Sequence, residues 1–422
     1  MGIAMKTIIR NIDCLVTCRG EGVKKGSDMM DAGIINDGYV VIDAGRIAAV
    51  GEGEGYREHL KPSDLVIDGA GKTVTPGLID GHTHLVYAGS REFELPLKLA
   101  KVGYIDILKA GGGILSSVRD TRAASREELV LQARKRLDLM LTHGTTTVES
   151  KSGYGLDLET EMKMLRANRL LNDSQPVDIV STFMGAHAVP QEYKEDREGY
   201  IRLIVEEMLP KVREENLAEF ADCFCEHGVF DIEETRRILT AARAQGFKIK
   251  LHADEVVSTG GAELAGEMKA VSAEHLVAAS QEGMKAMADN NVIAILLPTT
   301  SFYLMLEKFA DARKMIELGV PVALATDCNP GTSPTESLQI VMTYACFGLR
   351  MMPEEIINAV TLNAACSIGR EKEIGSIEAG KKADLVIFDA KNLNYLIYHF
   401  GVNAVDTVIK DGNIVVKGGL KC

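Results

Sequence analysis

The sequence has no apolar run approaching the roughly 20 residues that a membrane helix needs, and Met1-Gly-Ile-Ala-Met-Lys6 contains no signal-like apolar core. A protein that is not a membrane protein and stays in the cytoplasm is expected. Cysteine is sparse and scattered: the 8 residues form no CxxC pair and no zinc-ribbon spacing. Cys223 and Cys225 share one strand face, but a reduced, partly buried pair accounts for them, so a disulfide-free protein is expected. Positive charge is short as well, with 47 Lys and Arg against 60 Asp and Glu, a formal net charge of −13. Binding a phosphate backbone requires clustered cations, so this balance argues against nucleic acid as a partner. Gly111-Gly-Gly113 has neither the spacing nor the lysine of a phosphate loop and reads as a mobile active-site or connecting segment. Low-complexity tracts are missing too, and 46% apolar with 25% charged residues describes an ordinary globular protein.

At 422 residues the length suits several domains or one large barrel with additions. Residues 5–72 alternate β-prone runs with glycine turns, and the same grammar returns in Lys382–Asp389 and in Val405–Val416 with its Asp411-Gly412 turn. Both ends are therefore expected to build one β-sandwich, from residues 1–75 and 371–422. Between them, over 76–370, short apolar runs alternate with amphipathic helices. Ser125-Arg-Glu-Glu128 is a capping box that opens a helix stopping at Gly144. Candidate strands fall near 77–84, 145–150, 178–184, 220–226, 248–252, 270–275, 292–297 and 322–327. Eight parallel strands with helices between them predict an α/β TIM barrel, whose active site lies at the strands' C-terminal ends.

The residues at those ends are chemically loaded. His82 and His84 sit at i and i+2 of a strand and so face one way. His252, His275, Glu226 and Asp327 end later strands. Any one histidine is more often a core or surface residue than a ligand, but four at strand ends on one face are better explained by a site; His59, His143 and His399 lie elsewhere. Three imidazoles and a carboxylate suit a catalytic ion of the zinc or iron type with water completing its shell. Glu255, in His252-x-x-Glu255, is placed to carry protons, although an acidic residue at a helix start is also common. Arg91, seven residues past His84, is a planar cation suited to a carboxylate, which a chain of net charge −13 would otherwise repel.

The His-x-His strand, the His-x-x-Glu strand, the later histidine and the terminal aspartate resemble the amidohydrolase superfamily, in its one-metal branch. The likeness runs through His82-Thr-His-Leu-Val-Tyr-Ala-Gly-Ser-Arg91, Glu149-Ser-Lys-Ser-Gly-Tyr154, Phe183-Met-Gly-Ala-His187, His252-Ala-Asp-Glu255 and Asp327-Cys-Asn329-Pro-Gly331-Thr332, and covers nearly the whole chain. It implies one divalent or ferric ion, zinc or iron, held by His82, His84, His252 and Asp327. It implies an anionic small-molecule substrate, 4-imidazolone-5-propanoate, contacted by Arg91, Tyr154, His187, Glu255, Asn329, Gly331 and Thr332. The implied reaction is hydrolysis of the cyclic amide to N-formimidoyl-L-glutamate in histidine degradation. His275 would polarise the ring carbonyl, and Glu255 or Asp327 would carry the proton. A homodimer is the default assembly. Read alone, Gly153-Tyr154-Gly155 and Asn329-Pro-Gly331 are ordinary turn vocabulary.

Two other readings compete. A deaminase of neutral purines or pyrimidines would use the same ion shell but gives no reason for Arg91. A barrel that had lost its chemistry would have lost ligands, and here none is missing.

Overall fold

The computed structural model describes residues 5–100 and 111–422. Its centre is a sheet of eight strands: β1 (Leu78–Thr83), β2 (Thr145–Lys151), β3 (Asp178–Ala186), β4 (Phe220–Cys225), β5 (Lys248–Ala253), β6 (Ser272–His275), β7 (Ile293–Leu296) and β8 (Val322–Leu324). Every neighbouring pair is parallel and consecutive in sequence. Just past β8, Asp327 N donates to His82 O at 3.0 Å and His84 N to Cys328 O at 2.9 Å, which closes the sheet into a barrel.

The last strand is shorter than the 322–327 expected. Asp80 accepts from both the backbone N and the hydroxyl of Thr326, and the chain turns there into a left-handed residue, Asp327, at φ 53°. Pairing with β7 ends at Leu324, and past the turn Asp327 keeps only its backbone bond to His82 of β1.

Helices cover the barrel as the local chemistry requires. Ser125 and Glu128 form the expected capping box on helix Arg126–Thr142, which buries Leu129, Ala133 and Leu137. Asp231 and Glu234 repeat the device on helix Ile232–Ala244. Ile79, Val180 and Phe220 pack on Ala364, Ala365, Ile368 and Ile374 to plug the N-terminal end of the barrel. The opposite end is left for chemistry.

The two termini form two further sheets. A four-stranded one runs in the order Arg46–Glu52, Gly38–Asp43, Thr7–Ile12, Leu65–Asp68. A seven-stranded one joins Cys14–Val16 and Thr73–Pro76 to Leu385–Phe388, Val405–Lys410 and Asn413–Lys417. Ile9, Ile12, Val40 and Ile42 pack with Val74, Leu385, Ile387 and Ile409 between these sheets, so residues distant in sequence share one sandwich core. The run Thr73–Asp80 serves both bodies: Thr73–Pro76 pairs with Leu385–Phe388, and Leu78 begins the barrel. Gly77 lies between them, where a Cβ would fall 2.2 Å from Thr146 Oγ1. No helix among the described residues is long and apolar enough to cross a membrane.

Candidate active site

Period-two alternation aims His82 and His84 from the end of β1 into the barrel mouth, where β5 brings His252 and β6 brings His275. The ring centroids of His82 and His252 are 4.6 Å apart, and those of His252 and His275 are 5.2 Å apart. Asp327 Oδ1 lies 3.3 Å from His82 Nε2 and 3.7 Å from His84 Nε2. Its other oxygen accepts from Thr300 Oγ1 at 2.7 Å. Burial opposes charge on Asp327, but the neighbouring His82 ring outweighs it and holds the carboxyl down at about 2.

These residues fit a cation. Both ring nitrogens of His82 and of His252, and Nδ1 of His84, are buried without a hydrogen-bond partner among the described residues. Buried polar atoms are almost always satisfied, and ring nitrogens converging on a carboxylate are suited to a metal ion. His82, His84 and Asp327 have ligand atoms within 4.8 Å of one another, as do His82, His252 and His275. A third such group, Asp222, His252 and Glu274, is occupied by the protein's own cation: Lys151 Nζ stands 2.8 Å from Asp222 Oδ2 and 3.6 Å from Glu274 Oε2.

The loops around this cluster are anchored by buried acids. After β5, Asp254 accepts from the backbone N of Thr259 at 2.8 Å and Ala262 at 2.9 Å, and Glu226 accepts from Val256 N at 2.9 Å. Glu255 is held between these anchors with Oε1 3.6 Å from His275 Nδ1. Burial, then the charge of Asp327, push the Glu255 carboxyl up to about 8. Burial also keeps His275 neutral, well below its ordinary value. After β2, Glu161 accepts from the backbone N of Gly153, Gly155 and Leu156 and fixes the loop that carries Tyr154. Tyr154 is buried 5.6 Å from His84 and 5.3 Å from His187. Burial pushes its hydroxyl well above the ordinary range, so it stays protonated.

His187, just past β3, stacks on His84 at 4.7 Å, and its Nδ1 lies 3.0 Å from Gly153 O. A carbonyl only accepts, so Nδ1 carries the proton and Nε2 is the acceptor. Burial first, then His252, hold the His187 ring down at about 3. Asn329 is committed to its own turn: Oδ1 accepts from Gly331 N and Thr332 N, both at 2.8 Å, while Nδ2 donates to Asp327 O and Thr332 Oγ1. Arg91 lies against that turn, so close that a Cβ on Gly331 would fall 1.9 Å from its Nη1. The structure thus gathers the histidines, Asp327, Glu255, Tyr154 and the Asn329–Thr332 turn in one region, with Arg91 against its edge. Gly113 begins helix Ile114–Ala123 and donates its N–H to Glu94 at 2.7 Å.

Charges beneath the imidazoles and an aromatic wall beside them, neither marked by a local motif, complete this region. Glu149, Lys151, Asp222, Lys250 and Glu274 are buried in the barrel. Phe224 lies 5.5 Å from His252 and 6.5 Å from His275. Alternation is the available signal: Asp222 and Phe224, like Lys250 and His252, are two apart in one strand and share a face.

Comparison with known proteins bears on the family and the fold. The amidohydrolase family matches residues 73–415. A protein named imidazolonepropionase from Alkaliphilus oremlandii is 60% identical over 97% of this chain and 98% of its own length. The protein of the same name from Treponema denticola is 56% identical over 94% and 95%. Among solved structures, a triazine hydrolase variant aligns with a TM-score of 0.72 at 16% identity, covering 99% of this chain and 96% of its own. A zinc-bound adenosine deaminase from Xanthomonas campestris aligns at 0.71 and 18%, covering 99% and 94%. The structural likenesses, at such low identity, speak for the fold, and the sequence matches speak for the family. The chain belongs to the amidohydrolase family and, within it, to the imidazolonepropionases.

Proposed function

We propose that this chain hydrolyses the cyclic amide of 4-imidazolone-5-propanoate to N-formimidoyl-L-glutamate, a cytoplasmic step of histidine degradation. The observation that carries this reading is the position of Arg91 against Gly331, in the turn that follows Asp327. A planar cation suited to a propionate thereby borders the imidazole cluster. A neutral purine or pyrimidine would have no use for it.

His82, His84, His252 and Asp327 would hold one divalent or ferric ion, zinc or iron. When bound, such an ion lowers the pKa of water from about 15.7 to near 7, making hydroxide accessible at neutral pH. A single ion is supported by Lys151, which fills the neighbouring acidic group.

The other roles follow from protonation state and position. Arg91 binds the propionate, and Tyr154, protonated, donates to the substrate. His187 accepts a ring N–H at Nε2, the tautomer that its bond to Gly153 O selects. Asn329 shapes the turn so that Gly331 and Thr332 border the substrate. Neutral His275 donates to the ring oxygen as negative charge develops there. Glu255 takes the proton of the attacking water and returns it to the departing ring nitrogen, with Asp327 as the second acceptor. Beyond the substrate, the expected partner is a second copy of the chain, and the exposed Phe347 and Phe400 rings, 6.5 Å apart, support self-association.

The test follows loss of absorbance of freshly prepared imidazolone propionate, with elemental and ammonia analysis of the same reaction. Metal-dependent formation of N-formimidoyl-L-glutamate without ammonia is expected. Ammonia release from guanine or cytosine, with the imidazolone untouched, would overturn the reading.

A further inference from the structure

Below the imidazole cluster lie five charged side chains that the proposed chemistry does not use: Glu149 and Lys151 on β2, Asp222 on β4, Lys250 on β5 and Glu274 on β6. All five are buried. Burying charge is costly unless partners are close and well placed, so the pairing should reveal what the group is for. Lys151 Nζ is 2.8 Å from Glu149 Oε1, 2.8 Å from Asp222 Oδ2 and 3.6 Å from Glu274 Oε2. Lys250 is differently placed, its Nζ 3.7 Å from Glu274 Oε1, the oxygen that also accepts from Ser272 Oγ.

Two of the three oxygens that Lys151 gathers, those of Asp222 and Glu274, face the ligand rings. Asp222 Oδ2 lies 3.2 Å from His252 Nδ1, and Glu274 Oε2 lies 3.3 Å from His252 Nδ1 and 3.5 Å from His82 Nδ1. An ionised carboxylate only accepts hydrogen bonds, whereas a neutral imidazole has one N–H and one lone pair. Carboxylates at charge-pair distance on the Nδ1 side, although no hydrogen bond of good geometry is formed there, favour the proton on Nδ1 and leave Nε2 as the lone pair, and in His82 that Nε2 faces Asp327 Oδ1 at 3.3 Å. Asp222 is itself held, since its Oδ1 accepts from His252 N at 3.2 Å.

We propose that Lys151 is a positioning residue for the metal centre: its ammonium ties Asp222 and Glu274 together so that both carboxylates fix the tautomer and ring orientation of His82 and His252. The inference rests on the assignment of these two histidines as ligands. Lys151 reaches no ligand itself in this arrangement and acts through the acids.

Lys250 supplies the control, because it is an equally buried lysine on the same Glu274 but pairs with the oxygen turned away from the rings. The experiment measures zinc affinity of the full-length protein by competition with a chromophoric chelator, after circular dichroism has shown each variant folded. A selectively 15N-histidine-labelled sample reports the ring tautomers. Lys151→Met is expected to weaken zinc binding by about 10- to 100-fold, the usual consequence of losing an outer-shell partner, and to broaden or shift two imidazole signals. Lys250→Met should weaken it by less than about threefold. Equal losses in both variants, or native affinity in folded Lys151→Met, would overturn the proposal.

If Lys151→Met does not fold, Asp222→Asn carries the test, since it keeps the shape and offers an amide in place of an acceptor. The same affinity loss supports the proposal, and native affinity overturns it. His82→Ala is measured alongside. Native zinc binding in that variant would overturn the ligand assignment, and with it this inference, whereas loss in His82→Ala with native affinity in Lys151→Met would overturn this inference alone.

Discussion

Arg91 and Glu94 meet through two hydrogen bonds, Nε to Oε1 at 2.8 Å and Nη2 to Oε2 at 3.0 Å, which leave Nη1 directed at Gly331. Glu94 is buried and also takes Lys98 Nζ at 3.2 Å and the N–H of Gly113. Burial opposes its charge, yet the bonds from Arg91 and Gly113 outweigh it and hold the carboxyl below its ordinary value. Two cations thus share one protein carboxylate, and in the proposed reading their surplus charge goes to the substrate's propionate. In that reading the pair is a clamp with its orientation already set.

Arg91→Ala is expected to weaken substrate binding by about 2–5 kcal/mol, the range for deleting one partner of a desolvated charge pair. Arg91→Lys recovers part of this, because one ammonium cannot make both bonds to Glu94 and also reach the propionate. Glu94→Gln should raise KM more than it lowers kcat, since the guanidinium keeps its charge and loses its orientation. Steady-state kinetics on the substrate and on a ring analogue without the carboxylate separate the effects. Equal large losses on both compounds would place Arg91 in the fold or the ion site instead.

Gly331→Ala tests the same clamp from the other side. A Cβ there overlaps Arg91 Nη1, so the guanidinium must move or the turn held by Asn329 must open. KM should rise by at least tenfold, about 1.4 kcal/mol, with the ion content of the purified protein unchanged. A variant with native KM would show that Arg91 does not need its present position.

His82→Ala and Asp327→Ala should each lose the bound ion and turnover while the barrel stays folded, because ligand loss removes the hydroxide source without removing apolar core. Elemental analysis, circular dichroism and turnover on one preparation check all three. Native protein should hold one ion per chain; two would contradict the role given to Lys151.

The strand ends that carry the site were legible because each joins a β-prone run to a histidine or acid, and His82-x-His84 needs only alternation to face one way. Glu94 was not, because a lone acid three residues past Arg91 looks like any helix-start carboxylate until the fold buries it. The stop of β8 at Leu324 was hidden for a similar reason: it depends on Asp80, far away in sequence, bonding Thr326. Lys151 and Glu274 lie within quoted or neighbouring motifs, yet their contacts join β2, β4 and β6, and pairing across a closed barrel has no local signature.

Glu255 gives a prediction that can be read without substrate. Burial and then Asp327 push its carboxyl up to about 8, against an ordinary value near 4.3. The folded protein then holds the proton more tightly than the unfolded chain does, and unfolding releases it between those two pH values. Stability therefore falls as pH rises through that window, and the full penalty is present above about pH 8. Glu255→Gln removes the ionisable group and with it the penalty. In ion-depleted protein the gain in Tm should be small near pH 5 and grow toward pH 9, with a ceiling in stability on the order of 5 kcal/mol, about 3.7 pKa units at about 1.4 kcal/mol each. Adding the ion should shrink the gain, since a nearby cation favours the carboxylate. The same variant should lose turnover, and the native kcat/KM should rise with pH through a limb below about 8, because the residue must be ionised to take a proton. A gain in Tm that is constant across this pH range would show that Glu255 ionises at an ordinary value, and would shift the proton-carrying role to Asp327.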